Sequence, residues 1–129
     1  MTRNQPLLQV EGLRTHLVGE GRTVRAVDGV SFALQRGETF ALVGESGCGK
    51  SITALSILRL LPEAGRIVGG GVQLDGTDLL ALPETSMRDV RGRRIAMIFQ
   101  EPQSSLNPVM TVGRQIGEVL APHRHHRIE

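Results

Sequence analysis

Eight consecutive residues constrain this chain more than any others: Gly44-Glu45-Ser46-Gly47-Cys48-Gly49-Lys50-Ser51. Before them, TFALVG (Thr39 to Gly44) is a short continuous apolar run, the composition of a strand buried on both faces as in a parallel sheet. After them, SITALSILRLL carries apolar residues at helical spacing, notably Ile52, Leu55, Leu58 and Leu61, and Pro62 and Gly65 end the pattern. Strand, glycine-rich loop and helix follow one another without a spacer, and the loop fits the pattern G-x-x-x-x-G-K-[ST].

The chemistry of phosphate explains that spacing. Phosphate oxygens need several donors converging on a small volume, and side chains at every position would block the approach. Glycines let the backbone curl so that successive N–H groups point inward as an anion nest. The helix starting near Lys50 adds its positive dipole end. Lys50, the only lysine in the sequence, contributes a mobile charge for β- and γ-phosphates. The Ser51 hydroxyl can ligate Mg²⁺. Glu45, Ser46, Cys48 and Ile52 complete the loop and the first helical turn as positions whose backbone or small side chains lie along the phosphates. The competing reading is a surface turn with a chance GK[ST]; the strand before and the helix after favour the phosphate loop.

The rest of the sequence sets bounds. A length of 129 residues suffices for one domain with one core. Aromatics are only 2%, three Phe with no Tyr and no Trp, so the core has to be built from Leu, Val, Ile and Ala. The net charge of +2 is too small to point to nucleic acid, and no nucleic-acid partner is expected. Cys48 is the single cysteine, which excludes an intramolecular disulfide and a multi-cysteine metal site. No run approaches the roughly 20 apolar residues that span a bilayer, so any membrane role is expected through a partner.

Two long strands are predicted, Leu7 to Val18 and Val24 to Leu34, the second alternating imperfectly, with GEGR as the turn between them. RIVGGGVQLDG reads as a strand broken by Gly69 to Gly71. Leu79 to Arg91 is polar and partly helical. RIAMIF, Arg94 to Phe99, is a second buried-strand candidate, followed by the loop QEPQSSLNP and a helix capped by Thr111 and running to about Leu120. The tail 121–129 continues no pattern and is expected to be poorly ordered. Its His123, His125 and His126 belong to that solvated end, although their clustering leaves a metal site open. Arg88, Arg91, Arg93 and Arg94 form a basic cluster, ordinarily a solvated face.

Taken together, RAVDGVSFALQRGETFALVGESGCGKS and RGRRIAMIFQEPQSSLNPVMTVGRQIGE resemble the ATP-binding subunits of ABC transporters. The second stretch is similar to the Q-loop region of importers of the dipeptide, oligopeptide and nickel class. The resemblance covers about Leu7 to Leu120. It implies an α/β fold, the N-terminal part of a P-loop NTPase core with an antiparallel β subdomain and an incomplete parallel sheet, so that residues 1–129 form the front portion of one ATP-binding domain. It implies ATP and Mg²⁺ as cofactors. Gln100 becomes the Q-loop glutamine, its amide reaching the metal and the water near the γ-phosphate, with Lys50 beside it as the second catalytic position. The implied partners are transmembrane permease subunits, met through the Q-loop region, and a second ATPase subunit. The implied location is the cytoplasmic face of the plasma membrane.

The sequence departs from the family in two respects. The family often stacks adenine on an aromatic residue in the first turn, where this chain has Leu17 beside His16; apolar contact from Leu17 and Val24 would replace the stacking. The LSGGQ signature, the Walker B strand with its glutamate and the switch histidine are not present. A nucleotide-binding fragment without turnover therefore stays open beside an ATPase part that powers import of peptides or similar small solutes. An ABC-type ATPase of DNA repair or chromosome maintenance is a third reading, which EPQSSLNP disfavours.

Overall fold

In a computed structural model, residues 5–45, 47, 49–100 and 105–124 are described, with side chains through 120. The chain divides into two compact units, Met1–Met87 and Arg88–Glu129.

The first unit is built on an antiparallel sheet of order β2-β1-β3-β4. Strands β1 (Leu8–Gly19) and β2 (Arg22–Leu34) form the predicted hairpin. Helix α1 (Lys50–Leu58) follows, then β3 (Gly65–Leu74) and the short β4 (Thr77–Asp78). Helix α2 (Glu84–Val90) begins at the end of this unit.

Burial along β1 changes phase. Leu8 and Val10 are buried, and then Leu13 and Thr15. The phase changes at Gly12, whose φ of 56° accompanies a register shift between Val10 and Leu13. Opposite it, Gly70 has φ 88°, and a Cβ there would lie 2.4 Å from the Gly12 carbonyl oxygen. The glycine run 69–71 therefore does not break β3, as the sequence suggested. It lets an unbroken strand follow the bulge of its neighbour.

The core is aliphatic, as the composition requires. Leu13, Val72, Leu79 and Met87 are fully buried, and α1 contributes Ile57 and Leu58. Helix α1 stops at Leu58, short of Pro62, because Arg59 turns left-handed (φ 54°) and the Leu60 N–H bonds back to the Leu55 carbonyl at 2.9 Å. That conformation costs a non-glycine residue about 1 kcal/mol. The Arg59 guanidinium offsets it by donating to the carbonyls of Leu79 and Leu82, at 3.2 and 2.6 Å.

A buried hydroxyl pair fixes α1 on the sheet. Thr15 Oγ1 and Ser56 Oγ lie 2.7 Å apart, and both residues are fully buried. Ser56 has one proton and donates it to the Ile52 carbonyl at 2.6 Å, so Thr15 is the donor to Ser56. The two partners are therefore unequal. Ser56→Ala strands the Thr15 hydroxyl and is expected to cost about 1–3 kcal/mol, whereas Thr15→Val leaves Ser56 bonded and costs about 1 kcal/mol or less. Urea denaturation of the two variants measures the asymmetry, and a larger loss in Thr15→Val would reverse the assigned proton direction.

In the second unit, Gly92 (φ 82°) turns the chain so that Arg91 and Ile95 form an isolated bridge. No strand forms over Arg94 to Phe99, nor, in the first unit, over Thr39 to Gly44. Both were predicted from their apolar content. A strand needs a ladder partner as well as composition; among the described residues Thr39 to Gly44 has none assigned, and Arg94 to Phe99 has only the single Arg91–Ile95 bridge. Val43 and Ile98 are accordingly 85% and 93% exposed. Helix α3 (Val112–Arg124) is capped as predicted, with the Arg114 N–H donating to Thr111 Oγ1 at 3.2 Å. It runs past Leu120 through Arg124, so the first part of the expected poorly ordered tail is helical. Residues 125–129 lie outside the described residues. The Gln115 amide accepts from the Asn107 N–H at 2.9 Å and donates to the Asn107 carbonyl at 3.1 Å, which holds the turn before the helix.

Candidate functional site

The loop between β2 and α1 belongs to the first unit. Gly47 and Gly49 have φ of 84° and 91°, the left-handed geometry that a curled run of N–H groups requires. Space around Gly47 is open. At Gly49 it is closed: a Cβ would lie 2.2 Å from the Ala26 carbonyl oxygen and 3.9 Å from Val27 Cγ2. Ala26 is the extra residue of a bulge in β2, between the pairs His16–Arg25 and Thr15–Val27. The loop is thus seated on a bulge of the hairpin. Phe40, in the run that leads into the loop, stacks on Phe32 of β2 with ring centroids 5.0 Å apart. Ser46 and Cys48 lie outside the described residues.

The N-terminus of α1 is electrostatically one-sided. No side chain caps it, and its first turn carries no acid. The first intrahelical bond runs from the Thr53 N–H to the Gly49 carbonyl at 2.9 Å, and the Thr53 hydroxyl donates to the same carbonyl at 2.8 Å. This leaves the N–H groups of Lys50, Ser51 and Ile52 as uncapped donors of the first turn. The Lys50 ammonium donates to the Gly44 carbonyl, which folds the side chain back across the loop. A cation at the positive end of a helix is unfavourable by itself; an anion between the glycines and Lys50 turns both features into attraction. The backbone and charge therefore fit a phosphate chain. Ser51 is exposed beside it, Ile52 is half-buried, and Glu45 is exposed.

Leu17 and Val24 are direct cross-strand partners near the hairpin turn, with Leu17 half-buried and Val24 53% exposed. Gln100 belongs to the second unit and is exposed, directly after the run Arg94 to Phe99. Glu101 to Ser104 lie outside the described residues, as do the side chain of His123 and all of His125 and His126. Among the described residues there is no cluster of His, Cys, Asp or Glu suited to hold a metal. Sequence reasoning did not single out Ala26. Its only trace in the sequence is the imperfect alternation of VRAVDGVSFAL, which marks a bulge once the pairing is known.

The family profile described as "ABC transporter" matches residues 27–129. This chain belongs to the ABC transporter family. It is 58% identical over 118 residues to the Sinorhizobium fredii protein y4tR, whose name is that of a peptide ABC transporter ATP-binding protein. It is 55% identical over 124 residues to the peptidoglycan transport ATP-binding protein YejF of Agrobacterium fabrum, and 48% identical over 120 residues to the oligopeptide transport ATP-binding protein AppD of Bacillus subtilis. These alignments cover 91%, 95% and 92% of this chain but 35%, 23% and 37% of the relatives. The chain thus spans about a third or less of their length. Among solved structures, a bacterial Atm1-family ABC exporter with ATP bound matches at a TM-score of 0.53 and 27% identity, over 71% of this chain and 15% of the exporter. The fold class read from the sequence, part of an ABC ATPase domain carrying an antiparallel subdomain, is the one these likenesses support.

Proposed function

We propose that this ABC transporter chain binds the triphosphate of ATP at Gly44–Ser51, as part of an ATPase subunit that powers import of peptides or similar small solutes. The observation that carries the reading is the pairing of an uncapped helix N-terminus with Lys50 folded over left-handed glycines. The names of the relatives, which specify ATP binding with peptide, oligopeptide or peptidoglycan transport, support the solute class. The loop backbone from Gly44 to Gly49, Cys48 included, and the first turn of α1 through Ile52 would hold the phosphates. Ser51 and Gln100 would ligate Mg²⁺, which when bound neutralises phosphate charge. Leu17 and Val24 would give the base apolar contact.

In this proposal residues 1–129 form the N-terminal portion of an ATP-binding domain. It works at the cytoplasmic face of the membrane with permease subunits and a second ATPase subunit. None of the described helices is long and apolar enough to cross a bilayer, which is compatible with attachment through such partners.

The test is a titration with a fluorescent ATP analogue, with and without Mg²⁺. Ser51→Ala is expected to weaken Mg-ATP binding about tenfold while sparing metal-free binding. Equal losses in both titrations would remove Ser51 from the metal. Phosphate release by the chain, corrected with Lys50→Ala, separates an active ATPase part from nucleotide binding without turnover.

A further inference from the structure

Two side-chain bonds of the same kind lie on the buried side of α1. Thr53 Oγ1 donates to the Gly49 carbonyl at 2.8 Å, and Ser56 Oγ donates to the Ile52 carbonyl at 2.6 Å. Both residues are buried. Back-bonding to the carbonyl one turn earlier is a common habit of threonine and serine in helices, and by itself it implies no function. The two bonds differ in the peptide group that each one holds. The Ile52 carbonyl shares its peptide plane with the Thr53 N–H, which is already used inside the helix by its bond to the Gly49 carbonyl. The Gly49 carbonyl shares its plane with the Lys50 N–H, the first of the uncapped donors of α1.

Because the peptide is planar and trans, its N–H points opposite to its carbonyl. The Gly49 carbonyl points into α1, where it accepts from the Thr53 N–H at 2.9 Å, so the Lys50 N–H points out of the helix end toward the loop. Whatever fixes the carbonyl fixes that N–H. Gly49 needs such a fixture, since a glycine lets the neighbouring peptide plane rotate at little cost. Its ψ of 9° sets the plane, and two donors on one oxygen hold it, the N–H and the hydroxyl of Thr53. A carbonyl oxygen has two lone pairs and can accept both. Two donors also polarise the peptide, which makes the Lys50 N–H a stronger donor to an anion. The back-bond of Ser56 has no such consequence, because the N–H on its peptide is spent within the helix.

We infer that Thr53 is a positioning residue of the phosphate loop: its hydroxyl holds the Gly49–Lys50 peptide so that the Lys50 N–H is aimed at a bound phosphate. The inference rests on the phosphate reading proposed for Gly44–Ser51 and adds to it a buried residue that itself touches no phosphate.

Lys50 is the only lysine in the sequence, so isotope labelling of lysine for NMR gives a single backbone amide signal, from the group in question. The probe is inorganic tripolyphosphate, which carries the phosphates without base or ribose. In the wild-type chain it should move the Lys50 amide proton downfield and saturate. Thr53→Ser keeps the hydroxyl and loses the methyl, and it should bind the probe as the wild type does. Thr53→Val keeps the shape and loses the hydroxyl; it should bind about fivefold more weakly, with a smaller downfield movement at saturation. Thr53→Ala, which loses both, should follow valine. Packing alone would give the reverse order, with valine binding normally and serine weakly. That order, or equal affinity and equal amide movement in the serine and valine variants, would overturn the inference and leave the phosphate reading standing. Unfolding of both hydroxyl-free variants, read by circular dichroism, would make the bond structural and overturn it as well. A wild-type amide that the probe does not move would overturn the phosphate reading and the inference together.

Discussion

Gly49→Ala is expected to destabilise the first unit by about 3 kcal/mol and to remove nucleotide binding with it. Two costs combine at this position. An L residue at φ 91° is strained whatever its surroundings, and the added Cβ would meet the Ala26 carbonyl oxygen at 2.2 Å. The obstacle is backbone in the middle of β2, so it cannot swing aside as a side-chain end could. Either the loop lifts from the bulge or the hairpin distorts, and in both cases α1 loses the seat that aims its first turn. Gly47→Ala is the matched control. It has a comparable φ of 84° but open space around it. It should lose only the conformational part, about 1–2 kcal/mol. Guanidinium denaturation of both variants, followed by titration with the fluorescent ATP analogue, makes the comparison. Equal losses would mean that contact with Ala26 contributes nothing to holding the loop.

That contrast also marks what the sequence could tell. The conformation of the loop was legible because its demands are local: glycine where φ is positive, and a helix that begins at Lys50. The hairpin was legible because alternation and turn chemistry act over short spans. The seat of the loop was not, since the approach of Ala26 to Gly49 depends on a bulge set by pairing between strands. Gly69 to Gly71 misled for the same reason. Read alone they break a strand, but opposite Gly12 they let one continue. TFALVG and RIAMIF have the composition of buried strands but join no sheet among the described residues, because burial and ladder bonds come from neighbours outside each run. Arg59 ended α1 early by taking a conformation that sequence rules reserve for glycine, held by carbonyls of residues some twenty positions on.

Lys50→Ala should separate binding from folding. The variant is expected to weaken ATP binding at least tenfold, a loss of about 1.4 kcal/mol or more, since a neutral methyl cannot stand in for an ammonium at the β- and γ-phosphates. Its effect on stability should have the opposite sign. Lys50 sits at the first position of α1, where its charge opposes the helix dipole, and neither a cap nor an acid in the first turn relieves it. Alanine removes that repulsion and is the better helix former. The bond lost, from the ammonium to the Gly44 carbonyl, is solvent-exposed and worth little net. The chain without nucleotide should therefore be as stable as before or more stable by up to about 0.5 kcal/mol. Saturating Mg-ATP should then stabilise the wild-type chain against denaturant and leave Lys50→Ala nearly unmoved, because a ligand stabilises only what it binds. A variant that binds ATP normally would remove Lys50 from the phosphate site. One that is destabilised by more than about 1 kcal/mol would instead make Lys50 a structural residue of the loop, its bond to Gly44 counting for more than its charge.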